Sequence, residues 1–163
     1  MGLSRTTLVN FWLNFGVRRL EVPLPASWRQ NGLLRNNPTW AIAMRRAGSS
    51  FVIPAIADYE VRRELERSGK INGLAALDQW NQSPVNRYLP LTDSALRLAA
   101  KLWARARNAG TPTADPKELD GDVIIAAQVL DEGLPLSDIV IATVNVSHLS
   151  RFAPAEHWSN ITP

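Results

Sequence analysis

Four polar residues carry types suited to chemistry at a shared site: Asp58, Glu60, Asp122 and Asn145. Carboxylates that converge can hold a hard divalent cation, and an asparagine beside them can add a neutral oxygen or fix a water. The chain has no cysteine and only two histidines, His148 and His157. A thiolate site or a histidine-rich zinc site is therefore excluded, and a bound metal would be magnesium or manganese on oxygen ligands. Taken singly, each residue has an ordinary explanation. Glu60 falls in the first turns of an expected helix, where the positive end of the helix favours acids. Asp122 shares that explanation, with Asp120 a suitable N-cap, and Asn145 suits a turn after a strand. Whether they act as a set depends on the elements that carry them.

Those elements are legible from about residue 50 onward. SSFVIPA is a short apolar run bounded by serines and Pro54, which predicts a buried strand. IADYEVRRELERSGK predicts a helix with Ile56, Tyr59, Val61 and Leu65 on one flank, stopped at Gly69. GLAALDQWNQ continues as a second helical piece, and YLPL (88–91) as a short strand. Thr92 or Asp93 can cap the next helix, where Leu96, Ala99, Ala100, Trp103 and Ala106 recur at three- and four-residue spacing before Gly110. A polar loop, TPTADPKELDGD, leads to DVIIAAQVLDEG, read as an amphipathic helix from near Asp120 to Gly133. DIVIAT (138–143) is the clearest buried strand, NVSHLSRF a turn with a short helix, and HWSNI a candidate edge strand. Strands alternating with helices predict a parallel sheet covered on both faces, with any site at the carboxyl ends of its strands. Glu60 and Asn145 both fall at such ends. Residues 1–50 show no comparable pattern.

Bulk properties fit one domain. The 163 residues are 45% apolar and 20% charged, which suits a packed core and not a disordered polyelectrolyte. Lysine and arginine exceed aspartate and glutamate by 18 − 15 = 3, a small basic excess that permits contact with a phosphate backbone. Arg62, Arg63, Arg105 and Arg107 are candidates for that contact, or else an ordinary solvated helix face. No apolar run approaches the roughly 18 residues that span a bilayer. LVNFWLNFG near the start is short and carries two asparagines, unlike a secretory signal. The expectation is a soluble, cytoplasmic protein with no membrane partner.

Three segments together resemble the PIN-domain family over about residues 50–160. FVIPAIADYEVRREL is similar to the PIN strand that enters a helix bearing a metal-binding glutamate, and Glu60 falls on that glutamate. LDGDVIIAAQVL resembles the later PIN helix that opens on an aspartate, where Asp122 stands. DIVIATVNVSHLSRF resembles the following strand, with Thr143 on its threonine and Asn145 on the Asn or Asp after it. The resemblance implies an α/β parallel-sheet α/β/α sandwich over residues 41–163. It implies Glu60, Asp122 and Asn145 as catalytic and metal-holding residues, with Mg2+ or Mn2+ as cofactor and RNA as substrate. It further implies, for the toxin-type members, an antitoxin protein as partner and a homodimer.

The chain departs from the family pattern at its start. PIN domains open on a strand that ends in a metal-binding aspartate, yet no aspartate precedes Asp58. Glu21 is the only acid in the first 57 residues. Residues 1–40 are thus an atypical segment in which the opening strand is altered or missing. One expectation is a degenerate PIN domain that binds RNA or protein without cutting. The other is an N-terminal sequence that is not the ancestral one, through a shifted start or frame change.

Overall fold

A computed structural model describes residues 6–9, 38–84, 86–110 and 120–163. The elements follow the chain as β1 (Thr6–Val9), α1 (Pro38–Arg46), β2 (Ser50–Pro54), α2 (Ala55–Arg67), α3 (Ile71–Asn81) and β3 (Asn86–Leu89). Then come α4 (Asp93–Asn108), α5 (Gly121–Asp131), β4 (Ile139–Thr143), α6 (Val146–Leu149) and β5 (Ala155–His157). The five strands form one sheet in the order β3-β2-β1-β4-β5, and every pairing is parallel. This agrees with the expected α/β class.

The opening strand, expected to be altered or missing, is present as β1. Thr6, Thr7 and Leu8 pair with Ser50, Phe51 and Val52, while Thr6 to Val9 pair with Ile139 to Ala142. β1 is therefore the central strand, between the two that carry the candidate residues. Glu21 lies outside the described residues.

Alternating residues of β2 face opposite sides of the sheet. Val52 joins Ile139 and Ile141 in the larger cluster, which holds most of α5 and is flanked by Leu98, Leu102 and Trp103 of α4. Phe51 joins Met44, Trp40 and Ile161 on the other side. Arg45, in the last turn of α1, lies between the rings of Phe51 and Trp80, 5.1 and 5.0 Å from their centroids. That helix had no counterpart in the sequence reading.

Two helices differ from their expected faces. α5 is not amphipathic: every residue from Gly121 to Val129 is buried, and the helix touches α2, α4, α6 and β2. Apolar side chains all round a helix place it inside a protein. On α4 the buried residues are Ala95 and Ala99, whereas Leu96 is exposed. Its start is as expected, with Thr92 Oγ1 accepting from the Ala95 amide at 3.0 Å. Gly69 and Gly110 follow α2 and α4 with φ of 63° and 69°, the left-handed conformation that ends a helix. The last strand is Ala155–His157; Trp158–Asn160, within the segment expected to be a strand, is a 3-10 turn.

Candidate functional site

β2 delivers the chain into α2 at the carboxyl edge of the sheet. Pro54 precedes the helix and offers no side-chain cap. Gln128 of α5 takes that role from a distance. Its Oε1 accepts from the Ile56 amide at 3.2 Å, and its Nε2 donates to the Leu89 carbonyl at 2.9 Å. One fully buried side chain thus satisfies an orphan donor of the first turn and the end of β3. It also fixes where α2, and hence Glu60, stands relative to α5. Gln128→Leu keeps the volume but strands both buried backbone groups. We expect it to lower unfolding free energy by about 2–4 kcal/mol in urea titrations; a change within ~0.5 kcal/mol would show that this bridge does not hold the helix.

Glu60 leans onto the opening turn of α5. A Cβ built on Gly121 would sit 2.2 Å from Glu60 Oε1, so the carboxylate rests against the bare Cα of that glycine. Burial pushes the Glu60 carboxyl up to about 7. Arg63 opposes that rise, while Asp122 and Asp120 add to it. Asp120 caps α5, its Oδ1 accepting from the Val123 amide at 3.2 Å.

Asp122 is 5% exposed. Its Oδ2 accepts from Asn145 Nδ2 at 2.7 Å and lies 3.3 Å from His148 Nδ1. Among the described residues its Oδ1, which is buried, has no hydrogen-bond partner. Burial raises the Asp122 carboxyl to about 6, with His148 pulling it back and Asp120 adding to it. Asn145 stands just past β4, where its amide donates to Thr143 Oγ1 at 2.9 Å and holds the turn into α6. The buried threonine shapes the backbone that aims the asparagine.

Glu60, Asp122 and Asn145 are thus brought to one edge of the sheet. Asp58 is not among them. It faces the other side of α2, where Arg62 bridges it to Asp78 and Asn81 Nδ2 donates to it at 2.7 Å. Arg62 is engaged in that network. Arg107 stacks over Trp103 at 4.8 Å. Sequence reasoning missed His148, Gly121 and Gln128. For His148 a signal existed, since it lies three residues after Asn145, one turn on in a helix.

The donor set suits a hard cation only in part. An unpartnered buried carboxylate oxygen beside a second, proton-holding carboxyl is a site where a divalent ion would replace protons. Yet among the described residues no three Asp, Glu or His side chains are grouped closely enough to hold an ion. The fit is of two carboxylates, Asp122 and Glu60. Among the described residues, too, no helix is long and apolar enough to cross a membrane.

No family model matches the chain, and no curated protein matches it in sequence. Solved structures do. VapBC-1 from nontypeable Haemophilus influenzae superposes with a TM-score of 0.57 at 18% identity, covering 76% of this chain and 88% of that one. VapBC2 from Rickettsia felis, bound to a DNA fragment from their promoter, gives 0.58 at 13%, covering 75% and 85%. FitAcB from Neisseria gonorrhoeae gives 0.58 at 16%, covering 96% and 100%. At these identities the likeness is one of architecture: the chain has a PIN-like α/β fold.

Proposed function

We propose that the chain is a PIN-like endoribonuclease that cuts RNA phosphodiester bonds with magnesium or manganese, as the toxin of a toxin–antitoxin pair. The observation that carries this reading is the buried Oδ1 of Asp122, which has no hydrogen-bond partner among the described residues, in the turn of α5 on which the Glu60 carboxylate rests. Asp122 Oδ1 and Glu60 would hold the ion. A divalent cation, when bound, neutralises charge that builds on the phosphoryl oxygens during cleavage. Asn145 and His148 contact the other oxygen of Asp122 and orient that carboxylate; because Asn145 donates through Nδ2, its Oδ1 remains a neutral oxygen that would join the ion's ligands. The structures of similar fold are of VapBC and FitAcB assemblies, and from that likeness come the further proposals of an antitoxin whose tail covers the acidic site, a homodimer and a cytoplasmic setting.

A second reading has its own support. Among the described residues no three such side chains are grouped closely enough to hold an ion, and the aspartate expected after the opening strand is absent from the sequence, which favours a degenerate PIN domain that binds RNA or a protein without cutting. One assay separates the two. Structured RNA is incubated with the purified chain in magnesium, in EDTA, and with Glu60→Gln in its place. Cutting that EDTA abolishes, and that falls by about 100-fold or more in Glu60→Gln, supports the nuclease. RNA retained in a shift assay but never cut supports the binding module.

Gly121→Ala probes the same geometry. The new methyl group must push the Glu60 carboxylate, the end of a flexible side chain, aside, while alanine replaces a poor helix former at this buried helix start. Metal-free stability should hold within about 1 kcal/mol, and any magnesium-induced rise in thermal midpoint should shrink by half or more. A full magnesium response in this variant would remove Glu60 from the ion's surroundings.

A further inference from the structure

Tyr59 was expected on the buried flank of α2, but it is 50% exposed. It directly precedes Glu60 on α2, about 100° round the helix from it. Arg63, one turn further on, places its guanidinium 5.7 Å from the centre of the Tyr59 ring. The same arginine acts electrostatically on Glu60, so ring, cation and carboxylate are neighbours. On the other side of the site Val144 directly precedes Asn145 and is also exposed, at 45%. β2 and β4, which lead into these two positions, flank the central strand. The two candidate site residues at the strand ends are thus each preceded by an exposed apolar side chain, and one of those is an aromatic ring with a cation on it.

A phosphodiester placed against Glu60 and Asp122 carries its bases a few ångströms to either side. An aromatic ring offers a flat face to any base, and a guanidinium beside it offers charge to the neighbouring phosphate. An unstacked base can use that face, whereas a base inside a duplex cannot. We propose that Tyr59 is a stacking platform for one base of single-stranded RNA, with Arg63 holding the adjoining phosphate and Val144 bordering the opposite side. This rests on the nuclease reading and adds to it the strandedness and the subsite of the substrate.

The test reads binding and not cleavage. A short, end-labelled single-stranded RNA is titrated with the full chain in EDTA at low salt, by fluorescence anisotropy. Its counterparts carry one abasic nucleotide, at each position in turn. Tyr59→Ala should weaken binding of the intact RNA by about tenfold, and Tyr59→Phe should not. One abasic position should cost the native chain a similar factor and cost Tyr59→Ala little, because the two changes remove the same contact. Arg63→Ala should lower affinity and reduce the salt dependence of log K by about one contact. Tyr59→Ala binding like the native chain, or losing equally on intact and abasic RNA, overturns the proposal and leaves the nuclease reading standing. A native chain that binds no RNA brings down both. Unchanged RNA affinity with altered self-association in sedimentation would assign the ring to a protein contact, and would equally overturn the proposal.

Discussion

Asn10→Asp should convert a feeble or inactive chain into a magnesium-dependent ribonuclease, with a gain in EDTA-sensitive cleavage of about 100-fold or more. The argument begins with β1. Thr6, Thr7 and Leu8 pair on both sides, and Val9 lies opposite Ala142 of β4, one residue short of Thr143. The residue that follows Val9 in the sequence is Asn10. In the family that the sequence resembles, the opening strand ends in a metal-holding aspartate. By sequence order alone, Asn10 is the residue that would correspond to that aspartate, an amide where the family pattern has a carboxylate. An amide oxygen ligates a cation less strongly than a carboxylate and brings no charge. Loss of one preorganised electrostatic contact to a transition state costs about 2.7–4 kcal/mol, the factor of 100 to 1,000 quoted. The comparison needs the native chain, Asn10→Asp, and Asn10→Asp with Glu60→Gln, on one structured RNA with and without EDTA. A gain in Asn10→Asp that vanishes in the double variant supports the three-carboxylate site. No gain would leave the two-carboxylate arrangement as a binding surface and favour the degenerate reading.

The opening strand escaped the sequence for a physical reason. TTLV is too short to show a period and half of it is threonine. What makes it a strand is pairing with β2 and β4, which lie more than 40 and 130 residues away. Local pattern carries no trace of such a cause. β4 is different, since IVIAT is apolar on both faces and bounded by turn residues, so its burial is written in its composition. α5 was found but misjudged. VIIAAQV has no polar flank to show water, and a helix without one belongs inside. Gln128 is the exception within it, and only the fold reveals that its amide serves two backbone groups. The candidate site divides in the same way. Glu60, Asp122 and Asn145 could be picked out because strand, helix start and strand end follow one another in a recurring order. The contact of Glu60 with Gly121, and of His148 with Asp122, could not be picked out, because they depend on which helices meet.

Stability should also depend strongly on pH, and the sign follows from the two acids. Glu60 and Asp122 hold their protons up to about 7 and about 6 in the folded chain, against roughly 4 when unfolded. Between those limits the folded state binds more protons than the unfolded one, so stability falls as pH rises. In EDTA the thermal midpoint should therefore be higher near pH 5 than near pH 8. The difference should be on the order of 2–3 kcal/mol once solvent screening of the partly exposed Glu60 is allowed for. The groups facing the pair work both ways: Asp120 adds to the rise, and Arg63 and His148 oppose it. Asp122→Asn removes one titrating group and the charge that raises Glu60. The fall with pH should then shrink by half or more, leaving the metal-free variant more stable than the native chain at pH 8. Magnesium should act in the reverse sense. An ion that competes with protons for the same oxygens stabilises little at pH 5 and most at pH 8, by about 1.4 kcal/mol at ten times its dissociation constant. That increment should be absent in Asp122→Asn. Calorimetry of both proteins at the two pH values, with EDTA or with magnesium, gives all the comparisons. A flat metal-free profile would mean that the two carboxyls are not held protonated by the fold. An equal magnesium increment in native and variant chains would place the ion away from Asp122, and with it the chemistry proposed for this edge of the sheet.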